Sequence, residues 1–317
     1  MKSGSGRTTI QWRTLWNSDV QATVGGRSYS DDVVRLHWSG TRYHSPTGAA
    51  GVVTVSGAQG SYRHGRLTVR SIGGKLNVVH DVLLNTEYLY GAAEIQSSWG
   101  AKDRSALSAQ AIAARSYAMN KTWKSACTCQ VVDDVRDQNY TGWKKESEGT
   151  NRYYGKIWTA AVDDTVRCST SALLLTYAGK PIGTHYYSSS GGRTVNSEDV
   201  WSSVVPYERS VADPWSLDAP GNSMKSWTRT LTQGSARQLF GLPDVRSIRI
   251  SKTTSGDTMR ALTTTSITGS LSECQEPSEL GGSRHSRAVD PRRLRWRVRG
   301  LRRSRPQLRR DRRCRPE

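Results

Sequence analysis

Asp103-Arg-Ser-Ala-Leu-Ser-Ala-Gln-Ala-Ile-Ala-Ala-Arg-Ser-Tyr-Ala-Met-Asn-Lys-Thr-Trp123 is the strongest local signal in this chain of 317 residues. Leu107, Ala111, Ala114 and Ala118 recur at helical spacing, with Ala106 a turn earlier, and Asp103 suits an N-cap. The spacing predicts a helix from about Arg104 to Trp123. Its apolar face is almost all alanine, so a neighbouring element can approach closely. Such a helix belongs at the centre of a fold.

On its N-terminal side the periodicity changes. Residues 1–60 alternate apolar and polar positions (Val33, Leu36, Trp38, then Val52, Val53, Val55) between Gly, Ser and Thr, which reads as short strands joined by turns. Tyr62–Val69 and Leu76–Leu84 read as two strands about a Gly73-Gly74 turn. Thr86–Gly91 starts like a helical turn and stops at glycine.

On the C-terminal side a second helix is predicted over Tyr153–Thr165, with Ile157, Ala160, Ala161 and Asp164 at helical intervals. Strands follow at Ala172–Tyr177 and Ile182–Tyr187 about an Ala178–Pro181 turn, and then a Ser188–Gly192 loop. Further on, strands are expected at Trp227–Leu231, Val245–Ile250 and Met259–Thr265, and a short helix at Ser235–Phe240. Order signals cease near Gly269. The fold class expected is α+β: mixed short strands around a buried alanine-rich helix. The organisation is a β-rich segment 1–60, a main domain 61–268 and a disordered basic tail 269–317.

Hydrophobic residues make up 35% of the chain, ample for a sizeable core. No apolar run approaches the roughly 18 residues of a membrane span, and Met1–Thr9 has no apolar stretch of the signal-peptide kind. The net charge of +19 is unevenly spread. Residues 284–317 hold 15 arginines, no lysine and 3 acids, which is +12, and leave +7 for the rest. The basic balance is therefore mostly one tail, and the body gives little reason to expect nucleic acid as a partner. The tail itself reads as a basic arm for an anionic polymer, as a solvated end, or as an out-of-frame stretch of a GC-rich gene.

Five cysteines, with only Cys127 and Cys129 close together, make neither a disulfide framework nor a paired CxxC zinc site. A bridge from Cys127 or Cys129 to Cys168, or unpaired buried thiols, are the alternatives. No HExxH, P-loop or nucleophile elbow is present, and no metal or cofactor is expected.

Two stretches carry chemistry. Glu94 lies among Ala92, Ala93 and Ile95, an apolar setting that would raise its pKa and suit a general acid. The plainer reading is a surface or capping glutamate. Tyr186-Tyr-Ser-Ser-Ser-Gly-Gly-Arg-Thr194 would set hydroxyls and backbone N–H groups beside a polar ligand, or be merely a turn. The residues before 284 hold 10 Trp and 13 Tyr against one Phe, aromatics whose polar edges suit carbohydrate.

Glu94-Ile-Gln-Ser-Ser-Trp99, Ala109-Gln-Ala-Ile-Ala-Ala-Arg-Ser-Tyr117, Val132-Asp-Asp-Val-Arg-Asp-Gln138 and Ser188-Ser-Ser-Gly-Gly-Arg-Thr194 follow in order. With Glu198-Asp-Val-Trp201 and Val205-Pro-Tyr-Glu-Arg-Ser-Val211, they resemble the stage II sporulation protein D family, also called the amidase enhancer LytB family, in its actinobacterial form. The resemblance covers about residues 60–268. It implies an exported or cell-wall lytic transglycosylase acting on peptidoglycan glycan strands. Glu94 would be catalytic, and Arg115, Ser188, Ser189, Ser190, Gly191, Gly192, Tyr207 and Arg209 would bind saccharide or orient the glutamate. The implied partners are the glycan strands and a cell-wall amidase. A wall-binding amidase enhancer without catalysis is the runner-up, and nucleic-acid binding through the tail a distant third. Three departures stand out. The approach from Gly91 to Glu94 is about two residues shorter than usual, Ser108 replaces a usual lysine, and the family's C-terminal elements give way to the arginine-rich tail.

Overall fold

A computed structural model describes residues 8–44, 49–168, 171–201, 203–255, 259–265 and 271–275. The chain divides into two compact units, Met1–Tyr186 and Tyr187–Glu317. Mixed helices and short antiparallel strands make it α+β.

The first unit opens with an antiparallel meander of β1 (Ile10–Thr14), β2 (Val20–Val24) and β3 (Arg27–Asp31). Next come β4 (Val33–Leu36), β5 (Val53–Thr54), β6 (Ser61–Tyr62), β7 (Arg66–Ile72) and β8 (Lys75–Asp81). β7 lies between β4 and β8, and the Gly73-Gly74 hairpin sets its register with β8. The single strand expected over Tyr62–Val69 is interrupted. Gly65 takes φ +68°, and a Cβ there would fall 2.1 Å from the Asp81 carbonyl oxygen. Only glycine lets the two chains approach that closely. The strand expected over Leu76–Leu84 ends at Asp81, and the chain winds into helical turns at Leu84–Tyr88 and Leu89–Gly91.

The alanine-rich helix spans Ser105–Asn120. The N-cap is Arg104 rather than the expected Asp103, whose carboxylate still accepts from the Ser105 N–H at 2.9 Å. Leu107, Ala111, Ala114 and Ala118 are buried in the core with Leu89, Tyr140 and Trp158. Ala106 is exposed, because one residue along a helix turns the side chain about 100° off Leu107's face. The second helix spans Tyr153–Asp163 and buries Trp158, Ala161 and Val162. Its inner face is thus rotated from the one expected through Ile157 and Asp164, since Trp158 carries the larger apolar surface. The alanines let the helices meet closely, and the Ser108 hydroxyl donates to the Ala161 carbonyl at 3.1 Å.

Beyond this helix pair the expected strands shorten. Ser171–Ala172 pairs with Val166–Cys168, and Thr176–Tyr177 with Lys180–Pro181. Ile182–Tyr187 is not a strand. Its polar groups go elsewhere: the Thr184 hydroxyl donates to the Ala113 carbonyl at 2.8 Å. Cys127 and Cys129 form a disulfide with each other, in place of either alternative, a bridge to Cys168 or unpaired thiols.

The second unit contains short helices at Ser197–Trp201, Pro214–Asp218 and Gln233–Phe240. An antiparallel sheet runs Ser247–Thr253, Met259–Thr265, Leu271–Gln275. Trp227–Leu231, expected as a strand, is irregular. Ordered pairing continues past Gly269, because Leu271–Gln275 completes the sheet. The arginine-rich stretch 284–317 lies outside the described residues. Among the described residues, no helix is long and apolar enough to cross a membrane.

Candidate functional site

Glu94 sits in a short connection that another segment of the first unit clamps. Ala92 bridges Tyr140, the Ala93 N–H donates to the Asn139 carbonyl at 2.8 Å, and the Asn139 N–H donates to Glu94 Oε1. Gly91 makes the clamp sterically feasible. A Cβ on it would lie 2.6 Å from Gly142 Cα, and its carbonyl accepts from the Thr141 and Gly142 N–H groups at 2.9 and 3.2 Å. Downstream, buried Lys145 donates to the Ile95 carbonyl at 2.6 Å and to Glu148 at 2.9 Å. The Ser97 hydroxyl donates to the same Glu148 oxygen at 2.6 Å. Both sides of Glu94 are therefore pinned to residues 139–148.

The setting of Glu94 is polar, unlike the one its sequence neighbours suggest. It is half-buried, and its charge is felt by the hydroxyls of Tyr88 and Tyr186. Burial chiefly, and then neighbouring charge, pushes Tyr88 well above its ordinary value. Burial pushes Tyr186 up to about 12. Both phenols stay protonated at neutral pH; Tyr88 donates to the Gln138 side chain, and Tyr186 accepts from it. Among the described residues, Glu94 Oε2 has no hydrogen-bond partner.

Arg115 is fully buried on the long helix. It donates to the carbonyls of Leu173 and Asn85 at 3.0 and 3.2 Å and to the Thr165 hydroxyl at 2.9 Å. Burial lowers its pKa to about 10, which still leaves it a cation. With no exposed surface, the guanidinium braces the helix rather than meeting a ligand. A cleft of about 870 Å³ opens elsewhere in this unit, lined by Tyr62, His80, Tyr88, Trp123 and Tyr140 among others. Glu94 does not line it. Among the described residues, no group of three or more His, Cys, Asp or Glu side chains is arranged to hold a metal ion.

In the second unit, the Ser188–Gly192 loop is built on Asp213 and Ser216. The Ser190 hydroxyl donates to Asp213 at 2.7 Å, and the Ser190 N–H donates to the Ser216 hydroxyl at 2.8 Å. The Gly192 carbonyl accepts from the Asp213 N–H at 2.9 Å. Asp213 also caps the Pro214–Asp218 helix through the Ser216 N–H. Arg209 forms a two-pronged pair with Glu198, and Tyr207 is partly exposed. Tyr187, Trp201 and Trp215 are exposed in the same unit. The sequence reading missed Asn139, Asp213 and Ser216. The Asp213-Pro214 pair, an N-cap followed by proline, was the one local signal available.

An α+β protein in which residues 139–148 clamp the connection that carries a half-buried glutamate is the class these features define. The family model described as Stage II sporulation protein matches residues 73–172. The matched residues contain Glu94–Trp99, Ala109–Tyr117 and Val132–Gln138, whereas Ser188–Thr194 lies beyond them.

The chain is 30% identical over 164 residues to Stage II sporulation protein D of Bacillus subtilis (strain 168), covering 49% of this chain and 45% of that protein. It is 31% identical over 125 residues to Stage II sporulation protein D of Bacillus amyloliquefaciens, covering 36% and 34%. It is also 31% identical over 183 residues to the Amidase enhancer of Bacillus subtilis (strain 168), covering 53% and 23%. The chain thus spans less than half the length of these curated relatives.

Proposed function

We propose that this protein acts at the bacterial cell wall as a peptidoglycan lytic transglycosylase, with Glu94 as its acid and base. One observation carries the reading. Within the family-matched residues, Glu94 is held at Oε1 by the Asn139 N–H while Oε2 has no hydrogen-bond partner among the described residues. In this mechanism Glu94 protonates the glycosidic oxygen as the C1–O bond breaks. The resulting carboxylate then takes the proton from the muramic acid C6 hydroxyl, whose oxygen bonds to C1 and leaves a 1,6-anhydro end. A single carboxyl suffices because the nucleophile is the substrate's own C6 hydroxyl, unlike the two-carboxylate glycosidases.

Arg115 serves as a positioning residue, bracing the helix beside the Leu84–Tyr88 turn that leads to Glu94. Ser188, Ser189, Ser190, Gly191, Gly192, Tyr207 and Arg209 are assigned to saccharide contact within the second unit. The test is digestion of purified, peptide-stripped glycan strands followed by mass spectrometry. Anhydro ends are lighter than hydrolytic ends by one water, and they should vanish with Glu94→Gln. Hydrolytic ends instead would reject the mechanism.

The similarity to an amidase enhancer supports a second reading, a wall-binding protein that stimulates an amidase without cleaving glycan. In that case glycan strands stay intact while an added amidase speeds up, and Glu94→Gln changes neither result.

A further inference from the structure

The motif Val132–Gln138 has no role in the proposed chemistry, yet it leads directly into the residue that holds Glu94. Gln138 is 1% exposed, and its side-chain amide is stretched between two phenols. The Tyr88 hydroxyl donates to Gln138 Oε1 at 2.7 Å, and Gln138 Nε2 donates to the Tyr186 hydroxyl at 2.9 Å. Tyr88 is itself stacked on Tyr140, with ring centroids 5.3 Å apart. On the other flank, the Asp137 carboxylate is 3% exposed and accepts from the Val132 N–H at 2.9 Å and the Tyr117 hydroxyl at 3.1 Å. The backbone at Asn139 therefore has little freedom, with Asp137 and Gln138 anchored before it and buried Tyr140 after it.

We propose that Gln138 is a positioning residue for Glu94: its amide, pinned between Tyr88 and Tyr186, fixes the Asn139 N–H that orients the Glu94 carboxylate. The reasoning is geometric. Consecutive Cα atoms are about 3.8 Å apart, so losing the anchor at 138 displaces the N–H at 139 directly. A buried amide also holds its place strongly, because Gln138 and the Tyr88 hydroxyl are both buried and cannot exchange each other for water without exposing the core. Gln138 touches no reacting atom, and its effect runs through Asn139 to Glu94. As a statement about catalysis this rests on the transglycosylase reading, whereas the positional coupling does not.

The test uses the full chain, labelled with nitrogen-15, and follows hydrogen exchange at the Asn139 amide beside glycan cleavage. Gln138→Met keeps volume but removes both hydrogen bonds. It should speed Asn139 amide exchange by roughly tenfold or more beyond the uniform rise that lower global stability brings to the slowest-exchanging core amides. The Asn139 signal, which Glu94→Gln should shift in the parent protein, should no longer respond to that substitution in the Gln138→Met background. With glycan strands, kcat should fall roughly tenfold to a hundredfold while KM stays within about twofold. Adding Gln138→Met to Glu94→Gln should cost nothing further. Tyr186→Phe removes only one of the two bonds, and should give the same pattern at smaller size if Gln138→Met does not fold.

Asn139 exchange unchanged in either folded variant overturns the coupling. A faster exchange with unchanged kcat overturns the positioning role. If the parent chain makes no anhydro ends, the transglycosylase reading fails by itself, and the amide measurement still decides the coupling.

Discussion

The indole N–H of Trp158 donates to the carbonyl oxygen of Leu89 at 2.8 Å, and both residues are almost wholly buried. This bond ties the Tyr153–Asp163 helix to the turn that precedes Glu94. Trp158→Phe removes one of the two donors to that carbonyl, which keeps the Ala92 N–H at 3.1 Å, and opens space in the core that Trp158 shares with Leu107 and Ala161. The two effects together should cost about 2–4 kcal/mol of stability, read as a lower urea midpoint. A midpoint unchanged from the parent would mean that this contact is dispensable.

His80 gives the fold a pH dependence of defined sign. Burial chiefly pulls its pKa down to about 4, against the opposing hydrogen bond to the His64 carbonyl. That carbonyl can only accept, so Nε2 carries the proton at 2.8 Å, and Nδ1 accepts from the Tyr140 hydroxyl at 3.1 Å. The unfolded chain takes up a proton near pH 6.5 that the folded chain refuses until near 4. Stability from neutral His80 is therefore present above about pH 6.5 and lost as the pH falls toward 4, up to ~3 kcal/mol in all. Melting temperatures taken between about pH 7 and 5 should fall more steeply for the parent protein than for His80→Gln. Equal slopes would show that His80 is not the group being titrated.

Sequence spacing made local features legible and long-range ones invisible. The Gly73-Gly74 hairpin, the buried face Leu107–Ala118 and the start of the second helix at Tyr153 each depend on neighbours within a few turns. The polar surroundings of Glu94 depend on Asn139, which is 45 residues away, and on Tyr186. Nothing in the run Ala92-Ala93-Glu94-Ile95 reports such partners, so its composition suggested an apolar pocket instead. Arg115 illustrates the same limit. Its position on the helix was readable, but the carbonyls of Asn85 and Leu173 that enclose it come from distant turns.

Asp213 organises the second unit's serine-glycine loop. Its two carboxylate oxygens serve the Ser190 hydroxyl and the N-terminus of the Pro214–Asp218 helix. Asp213→Ala removes both, and the cap alone is worth about 1 kcal/mol. Limited proteolysis should then cut within residues 188–192 faster than in the parent protein. Under the saccharide-contact reading, retention on peptide-stripped glycan should weaken in parallel. Asp213→Asn keeps acceptor capacity at one oxygen and should fall between the two. A loop equally resistant in all three proteins would leave Asp213 without this organising role.

The Cys127–Cys129 disulfide joins residues only two apart, and that separation limits what it can contribute. A cross-link stabilises chiefly by shrinking the unfolded ensemble, and a loop this short removes little of it, about 1.5 kcal/mol at most. The turn has other supports. The Lys124 N–H donates to the Cys129 carbonyl at 2.8 Å, Asn77 donates to the Cys127 carbonyl at 2.9 Å, and the Lys124 ammonium pairs with Asp137. Reduction by a dithiol, or the double substitution Cys127→Ser with Cys129→Ser, should therefore leave the first unit folded, with a melting temperature only a few degrees lower. Local exchange at residues 124–129 should rise while that of the Ser105–Asn120 helix stays put. Global unfolding on reduction would contradict this, and would make the short bridge a staple of the fold rather than a clip on one turn.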